Sequence, residues 1–232
     1  MPDKVAVVIQ ARMGSRRLPG KILKPLAGAP MLQRLVERAS RATCHDSLVV
    51  ATTLEVKDDP VQELCSERGF NCYRGSEDDV LARMIGAAAN ADIVVRLTGD
   101  NPFVDGSLID RVVHGLLDAG PDCVYANNIH PSYPYGLYVE VIRMDALIMG
   151  LESSDPKNHE HVTWHIRQEP YRYAQVTVAS DFVFAVPSLT IDTPDDYQLL
   201  APVFLKLYNR DSVFGMSDIA GLDADYTFIT GE

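Results

Sequence analysis

The chain has 232 residues, 47% hydrophobic and 23% charged, with a net charge of −11. That is the size of one globular domain able to bury a core, so residues 1–232 are read as a single domain. The acidic balance excludes a general affinity for nucleic acid or an anionic membrane surface, both of which attract basic patches. The average hides a segregation. From Arg12 to Arg41 stand eight basic residues and one acid, so this stretch is +7 and the rest of the chain −18. A compact cationic segment in an anionic chain points to a local site for a small polyanion. The four cysteines, Cys44, Cys65, Cys72 and Cys123, are scattered with no CxxC pair, a reduced-thiol pattern. The apolar run from Val5 to Ile9 is too short for a signal segment or a membrane span. The expectation is a soluble, cytoplasmic protein with no nucleic-acid or membrane partner.

Val5 to Ile9 is continuous and rich in β-branched residues, as in a strand buried on both faces. A loop rich in Gly, Pro and Arg follows. Leu32, Leu35, Val36 and Ala39 then form a helical stripe, with Arg34, Arg38 and Arg41 expected on its solvated face. Ser47 to Ala51 reads as a second strand, and Asp58-Asp-Pro60 starts a helix. Phe70 to Tyr73 is a short strand, and Ser76 to Asp79 caps a helix running to about Ala89. Asp92 to Leu97 is a strand, Val104 to Leu117 a helix, and Cys123 to Ala126 a fifth strand. Beyond them Tyr138 to Arg143, Tyr173 to Val178 and Leu189 to Ile191 read as strands. Met144 to Leu151, Lys157 to Gln168 and Pro194 to about Tyr208 read as helices. Strands alternating with helices imply a mainly parallel α/β sheet covered on both faces. Ligands in such sheets bind at the carboxyl ends of the strands.

Two loops at those ends carry chemistry. The first runs from Gln10 to Lys24. Its small residues Ala11, Gly14, Ser15 and Gly20 let backbone approach phosphate, and Arg12, Arg17 and Lys21 supply neutralising charge. It matches neither the GxxxxGK[ST] nor the GxGxxG phosphate pattern. In the second loop Asp100 stands between Gly99 and Asn101-Pro102. Mg²⁺ binds to one or two carboxylates plus phosphate oxygens. The second candidate carboxylate is Asp192, which ends an apolar run and precedes Pro194, a position that also suits a helix cap.

Five blocks then occur in order. They are Ala11-Arg12-x-Gly14-Ser15-x-Arg17-Leu18-Pro19-Gly20-Lys21, Arg74 to Arg83, Arg96 to Pro102, Glu160 to Thr163 and Ile191 to Asp196. The first resembles the opening motif of the CMP-sialate and CMP-3-deoxy-manno-octulosonate synthetases. Together they resemble the spore-coat polysaccharide biosynthesis cytidylyltransferase family, from about Val5 to Tyr197. The resemblance implies a Rossmann-like nucleotide-diphospho-sugar transferase fold with a mixed, mainly parallel central sheet. It implies an enzyme that joins CMP from CTP to a small sugar-type acceptor with Mg²⁺ as cofactor. Arg12, Lys21 and Asp100 would be catalytic. Ala11, Arg12, Gly14, Ser15, Arg17, Lys21, Arg74, Ser76 and Asp79 would bind the nucleotide, and Asp100 and Asp192 the metal. Asn127, Tyr135, Gly136 and Glu140 are the acceptor-binding candidates. Relatives often carry an acid between Pro and Gly where this chain has Tyr135, and a polar residue near Tyr138. A homodimer is expected, with its contact at about residues 138–173.

Other readings stay open at this point. A glycosyltransferase would use an Asp-x-Asp, but only one acid stands at Gly99-Asp100-Asn101. A non-catalytic nucleotide-binding protein would need neither Asp100 nor Asp192. His159, His161 and His165 beside Glu160 allow a zinc site, against the plainer reading of a helix start. The acceptor itself is not legible: Arg143, Arg167 and Arg172 are all candidates for holding a sugar carboxylate.

Overall fold

A computed structural model describes residues 3–227. Residues 1, 2 and 228–232 of the expected domain lie outside the described residues. A seven-stranded sheet runs in the order β5-β4-β1-β6-β8-β7-β9. Its strands are β1 (Val5–Gln10), β4 (Ser47–Thr53), β5 (Asn71–Gly75), β6 (Ile93–Thr98), β7 (Cys123–Asn127), β8 (Glu140–Arg143) and β9 (Ala174–Thr177). β8 is antiparallel to β6 and β7 and the other pairings are parallel, so the sheet is mixed and mainly parallel, as the resemblance implied. β2 (Pro25–Leu26) and β3 (Ala29–Pro30) form a small separate hairpin that the sequence pattern did not reveal.

β1 lies between β4 and β6, and its side chains alternate into two cores. Val5, Val7 and Ile9 face one core, packed by α1 (Met31–Ala39), α2 (Asp59–Arg68), α4 (Gly106–Asp118), α8 (Pro194–Arg210) and α9 (Met216–Ala220). Ala6 and Val8 face the other, packed by α3 (Val80–Ala87), α5 (Met144–Leu151) and α7 (Trp164–Gln168). Burial on both faces explains why β1 reads as a continuous apolar run and β6 as one broken only by Arg96. Among the described residues no helix is long and apolar enough to cross a membrane.

Three expectations are corrected. Lys157 to Gln168 is two helices, α6 (Pro156–His161) and α7, broken at Val162 with φ +53°. That conformation is costly for a β-branched residue, and it is held where the Thr163 hydroxyl bonds Glu140 (2.7 Å). Leu189 to Ile191 is not a strand; only Ser188 bridges to Tyr135. Finally, Arg34 and Arg38 are not solvated: they are 9% and 3% exposed. Arg38 donates to the carbonyls of Phe103 (3.0 Å), Val104 (3.3 Å) and Phe214 (2.9 Å), with its guanidinium 3.7 Å from the Phe214 ring centre. Burial lowers its pKa to about 10. Arg34 donates to the carbonyls of Leu26 and Ala27 and lies over Tyr208.

Candidate active site

β1 and β6 end side by side, with Gln10 opposite Thr98. The Gly99 N–H donates to the Gln10 carbonyl (2.8 Å), and a Cβ on Gly99 would stand 3.0 Å from that oxygen. Only glycine lets the two loops leave the sheet this close together. They open a cleft of about 1140 Å³ at the carboxyl edge of the sheet. The basic loop is pinned by a residue the sequence reading passed over: the buried Asp58 accepts from the Met13 N–H (2.6 Å) and the Thr53 hydroxyl. Ser15 Oγ accepts from the Leu18 N–H (3.3 Å).

Lys21 is 8% exposed, and its Nζ lies 2.8 Å from Asp100 Oδ2 and 2.5 Å from Asp192 Oδ1. Arg17 Nη2 takes the other Asp192 oxygen at 2.5 Å. Burial would raise the Asp100 pKa, but the Lys21 ammonium and the Thr98 hydroxyl bring it below the usual value. Asp192 reaches Asp100 because the Ile191 N–H donates to the Asp100 carbonyl (2.9 Å). Thr193, not Asp192, caps α8, in a reciprocal box with Asp196. The helix cap therefore leaves the Asp192 side chain to the cleft.

The facing wall comes from α3 and α6. Glu77 pairs with Lys57 (2.6 Å) and stands 3.5 Å from Arg12. Asp79 caps α3 through Oδ1, at 2.8 Å from the Ala82 N–H, and its Oδ2 meets His159 Nδ1 at 2.9 Å. His159 Nε2 meets the Ser153 carbonyl at 3.0 Å. Both ring nitrogens thus face acceptors, which suits the protonated ring; the Ser153 carbonyl and then Asp79 raise its pKa.

Of the sequence candidates, Ala11, Arg12, Gly14, Ser15, Arg17, Lys21, Asp79, Asp100 and Asp192 line the cleft together. Arg74 is not brought there. It fastens β5 to the start of α2 through the Thr53 and Glu55 carbonyls, Asp59 and Gln62. Ser76 Oγ accepts from the Asp79 N–H (3.0 Å), in the turn before α3. The acceptor candidates also lie off the cleft lining. Asn127 Oδ1 accepts from the Ile129 N–H (2.8 Å). Tyr135 is 54% exposed and edge-on to Tyr138. Gly136 has φ +95°, and a Cβ there would stand 2.4 Å from the Thr190 nitrogen, so it supports the segment that carries Asp192. Glu140 is buried and accepts from the Tyr125 hydroxyl (2.6 Å), the Thr163 hydroxyl and Arg96.

Gln10, Arg83 and Arg96 line the cleft without having been assigned a role, and His159 and His161 of the possible zinc cluster line it too. Arg96 had a signal: one charge interrupts the apolar run of its strand. The three histidines do not converge. His165 turns away to the Ala146 carbonyl (2.8 Å). Among the described residues no group of three or more His, Cys, Asp and Glu forms a metal cage. Asp100 and Asp192 do converge on one cation, the Lys21 ammonium. Mg²⁺ takes one or two carboxylates plus phosphate oxygens, so this pair of carboxylates beside a basic loop fits that ion.

A Rossmann-like mixed sheet with this cleft at its carboxyl edge is the framework of a nucleotidyltransferase. The chain belongs to the cytidylyltransferase family, whose family model matches residues 6–204. Over 221 residues it is 36% identical to the spore coat polysaccharide biosynthesis protein SpsF of Bacillus subtilis, covering 91% of this chain and 90% of that one. It is 37% identical over 119 residues to a 3-deoxy-manno-octulosonate cytidylyltransferase of Pelobacter propionicus, 49% of this chain and 45% of that protein. The structure of a cytidylyltransferase from Leptospira borgpetersenii superposes with a TM-score of 0.86 at 29% identity, covering 94% of this chain and 92% of that one. Membership selects nucleotidyl transfer over the glycosyltransferase and non-catalytic readings.

Proposed function

We propose that the chain is a Mg²⁺-dependent cytidylyltransferase that joins CMP from CTP to an acidic sugar, releases pyrophosphate and serves surface polysaccharide synthesis. The observation that carries this reading is the cation held between Asp100 and Asp192 beside a basic loop. Asp100 and Asp192 would hold Mg²⁺, which when bound neutralises phosphate charge and lowers the pKa of a hydroxyl beside it. With the nucleotide in place, Lys21 and Arg17 exchange their carboxylate partners for phosphate oxygens. Arg12 is freed from Glu77 in the same way. These three cations stabilise the charge that develops as the acceptor hydroxyl attacks the α-phosphorus and pyrophosphate leaves in line.

The whole chain is read as one cytoplasmic catalytic domain. Its homodimer contact is placed at about residues 138–173, where α5 leaves Ile148, Met149 and Leu151 exposed. Sedimentation analysis of the purified protein tests that contact, and a monomer at micromolar concentration overturns it. Pyrophosphate release from each of CTP, UTP, ATP and GTP tests the activity, with and without Mg²⁺, over a panel of keto-acid sugars and sugar phosphates. The expected result is release from CTP, dependent on Mg²⁺ and on an acidic sugar. Preference for another nucleotide, or no release with any acceptor, overturns the reading.

A further inference from the structure

We propose that Arg96 is a carboxylate-binding subsite in the floor of the cleft, and that it takes the acid group of the acceptor. The inference rests on the reading of the chain as an acidic-sugar cytidylyltransferase and names the residue that would select for the acid. Side chains alternate along β6, so Arg96 shares a face with Val94, which lies in the second apolar core. Glu140 of β8 stands opposite it in register, while Gln10 of β1 lies two residues further along, opposite Thr98 and on the same face. The guanidinium therefore sits where that core ends and the cleft begins.

Its orientation is held from two sides. Nε donates to Gln10 Oε1 (2.6 Å), and Nη1 donates to Glu140 Oε2. Glu140 is itself fixed, because its other oxygen accepts from the Tyr125 and Thr163 hydroxyls. Burial would raise the Glu140 pKa, but Arg96, the two hydroxyls and Arg167 together hold it below the usual value. A guanidinium carries five N–H groups. Two of Arg96's are accounted for by Gln10 and Glu140, and among the described residues the others have no protein acceptor. Nη2 makes neither of these bonds and is not buried, so its N–H groups open to the cleft that Arg96 lines. A guanidinium held in place with free N–H groups on one nitrogen is suited to donate charge-assisted hydrogen bonds to a carboxylate.

The other cations are committed elsewhere. Arg12, Arg16, Arg17 and Lys21 belong to the basic loop at the other end of the cleft lining. Arg83 donates to the Ser76 and Glu77 carbonyls and ties the turn before α3. Arg143 pairs with Asp3 and the Cys123 carbonyl, and Arg172 with Glu169. Neither lines the cleft, and nor does Arg167.

The test is steady-state kinetics with CTP and Mg²⁺, using 3-deoxy-manno-octulosonate, N-acetylneuraminate and a sugar phosphate as acceptors. Arg96→Met is expected to raise KM for the carboxylate sugar about 10- to 100-fold, the weight of a charge-assisted pair, while KM for CTP changes less than about twofold. Arg96→Lys, which keeps the charge without the fork, is expected to lose less. Removing one partner of a buried pair can unfold a protein, so Arg96→Met with Glu140→Gln removes the pair together and is expected to fold and show the same acceptor defect. An unchanged acceptor KM in a folded variant overturns the subsite. Equal rises for CTP and acceptor overturn it too, since they mark a nucleotide or structural role. A wild-type enzyme that uses only the sugar phosphate overturns the carboxylate assignment. One that releases no pyrophosphate with any acceptor sinks the functional reading itself, and the subsite with it.

Discussion

The basic stretch from Arg12 to Arg41 divides into two regions that share a charge and little else. In the loop, Arg12, Arg17 and Lys21 pair with Glu77, Asp100 and Asp192, side chains that face a cleft. On α1, Arg34 and Arg38 are held by backbone carbonyls at the ends of other segments, Arg34 also pairing with Glu37 of its own helix (2.8 Å), away from the cleft. A carboxylate in a cleft can exchange its cation for a metal ion and release that cation to a phosphate. A buried carbonyl has no such exchange, because losing the guanidinium leaves it unpaired away from water. Positive charge therefore does two jobs within thirty residues, and what separates them is the kind of partner.

Substitutions on either side of that division should fail differently. Asp100→Asn or Lys21→Ala is expected to lower kcat/KM by at least ~10²-fold per folded molecule, the scale of losing one charge-stabilising contact. A folded variant with near-normal turnover breaks the assignment of the loop. Arg38→Met is expected to cost roughly 2–4 kcal/mol in urea denaturation while leaving kcat per folded molecule unchanged. Loss of turnover without loss of stability would erase the distinction. Lys21→Met is also expected to bind Mn²⁺ more tightly than the wild type when no nucleotide is present. The gain is on the order of tenfold by electron paramagnetic resonance, because the resident ammonium no longer competes for the two carboxylates. Equal or weaker Mn²⁺ binding would mean that the lysine does not hold the metal's place.

The smallest effect belongs to His159, on the wall facing the loop. Its folded pKa is raised, so its contribution is fully present below the unfolded value near ~6.5 and is lost as pH rises through the folded value. The melting temperature of the wild type should fall slightly across that window relative to His159→Gln. Parallel pH profiles for the two proteins would show that the contact with Asp79 carries no such dependence.

Much of the fold was legible because burial on both faces leaves a plain mark. β1 and β6 are mostly apolar, and Asp79 and Pro194 mark helix starts as their chemistry requires. The break at Val162 was not legible, since it depends on a hydroxyl one residue on reaching Glu140 from another element. Nor was the placing of Arg34 and Arg38, whose carbonyl partners lie on segments up to 176 residues away. Within the site, Arg12, Lys21 and Asp100 stood out because small residues and fixed charges cluster in short loops. Gln10 and Arg96 did not stand out as a pair, because only strand pairing makes them neighbours.

The sequence by itself determined the alternation of strands and helices, the cationic loop at a strand end and the resemblance to the cytidylyltransferases. Each of these is written in local spacing and residue type. Only the tertiary structure decided which charges meet. It set Lys21 between Asp100 and Asp192 and buried Arg38 under Phe214. It also turned Arg74 away from the cleft and seated Arg96 on Glu140. The physical reason is reach: a side chain's role follows from the partner within hydrogen-bond distance. In a mixed sheet that partner comes from a strand or loop far along the chain.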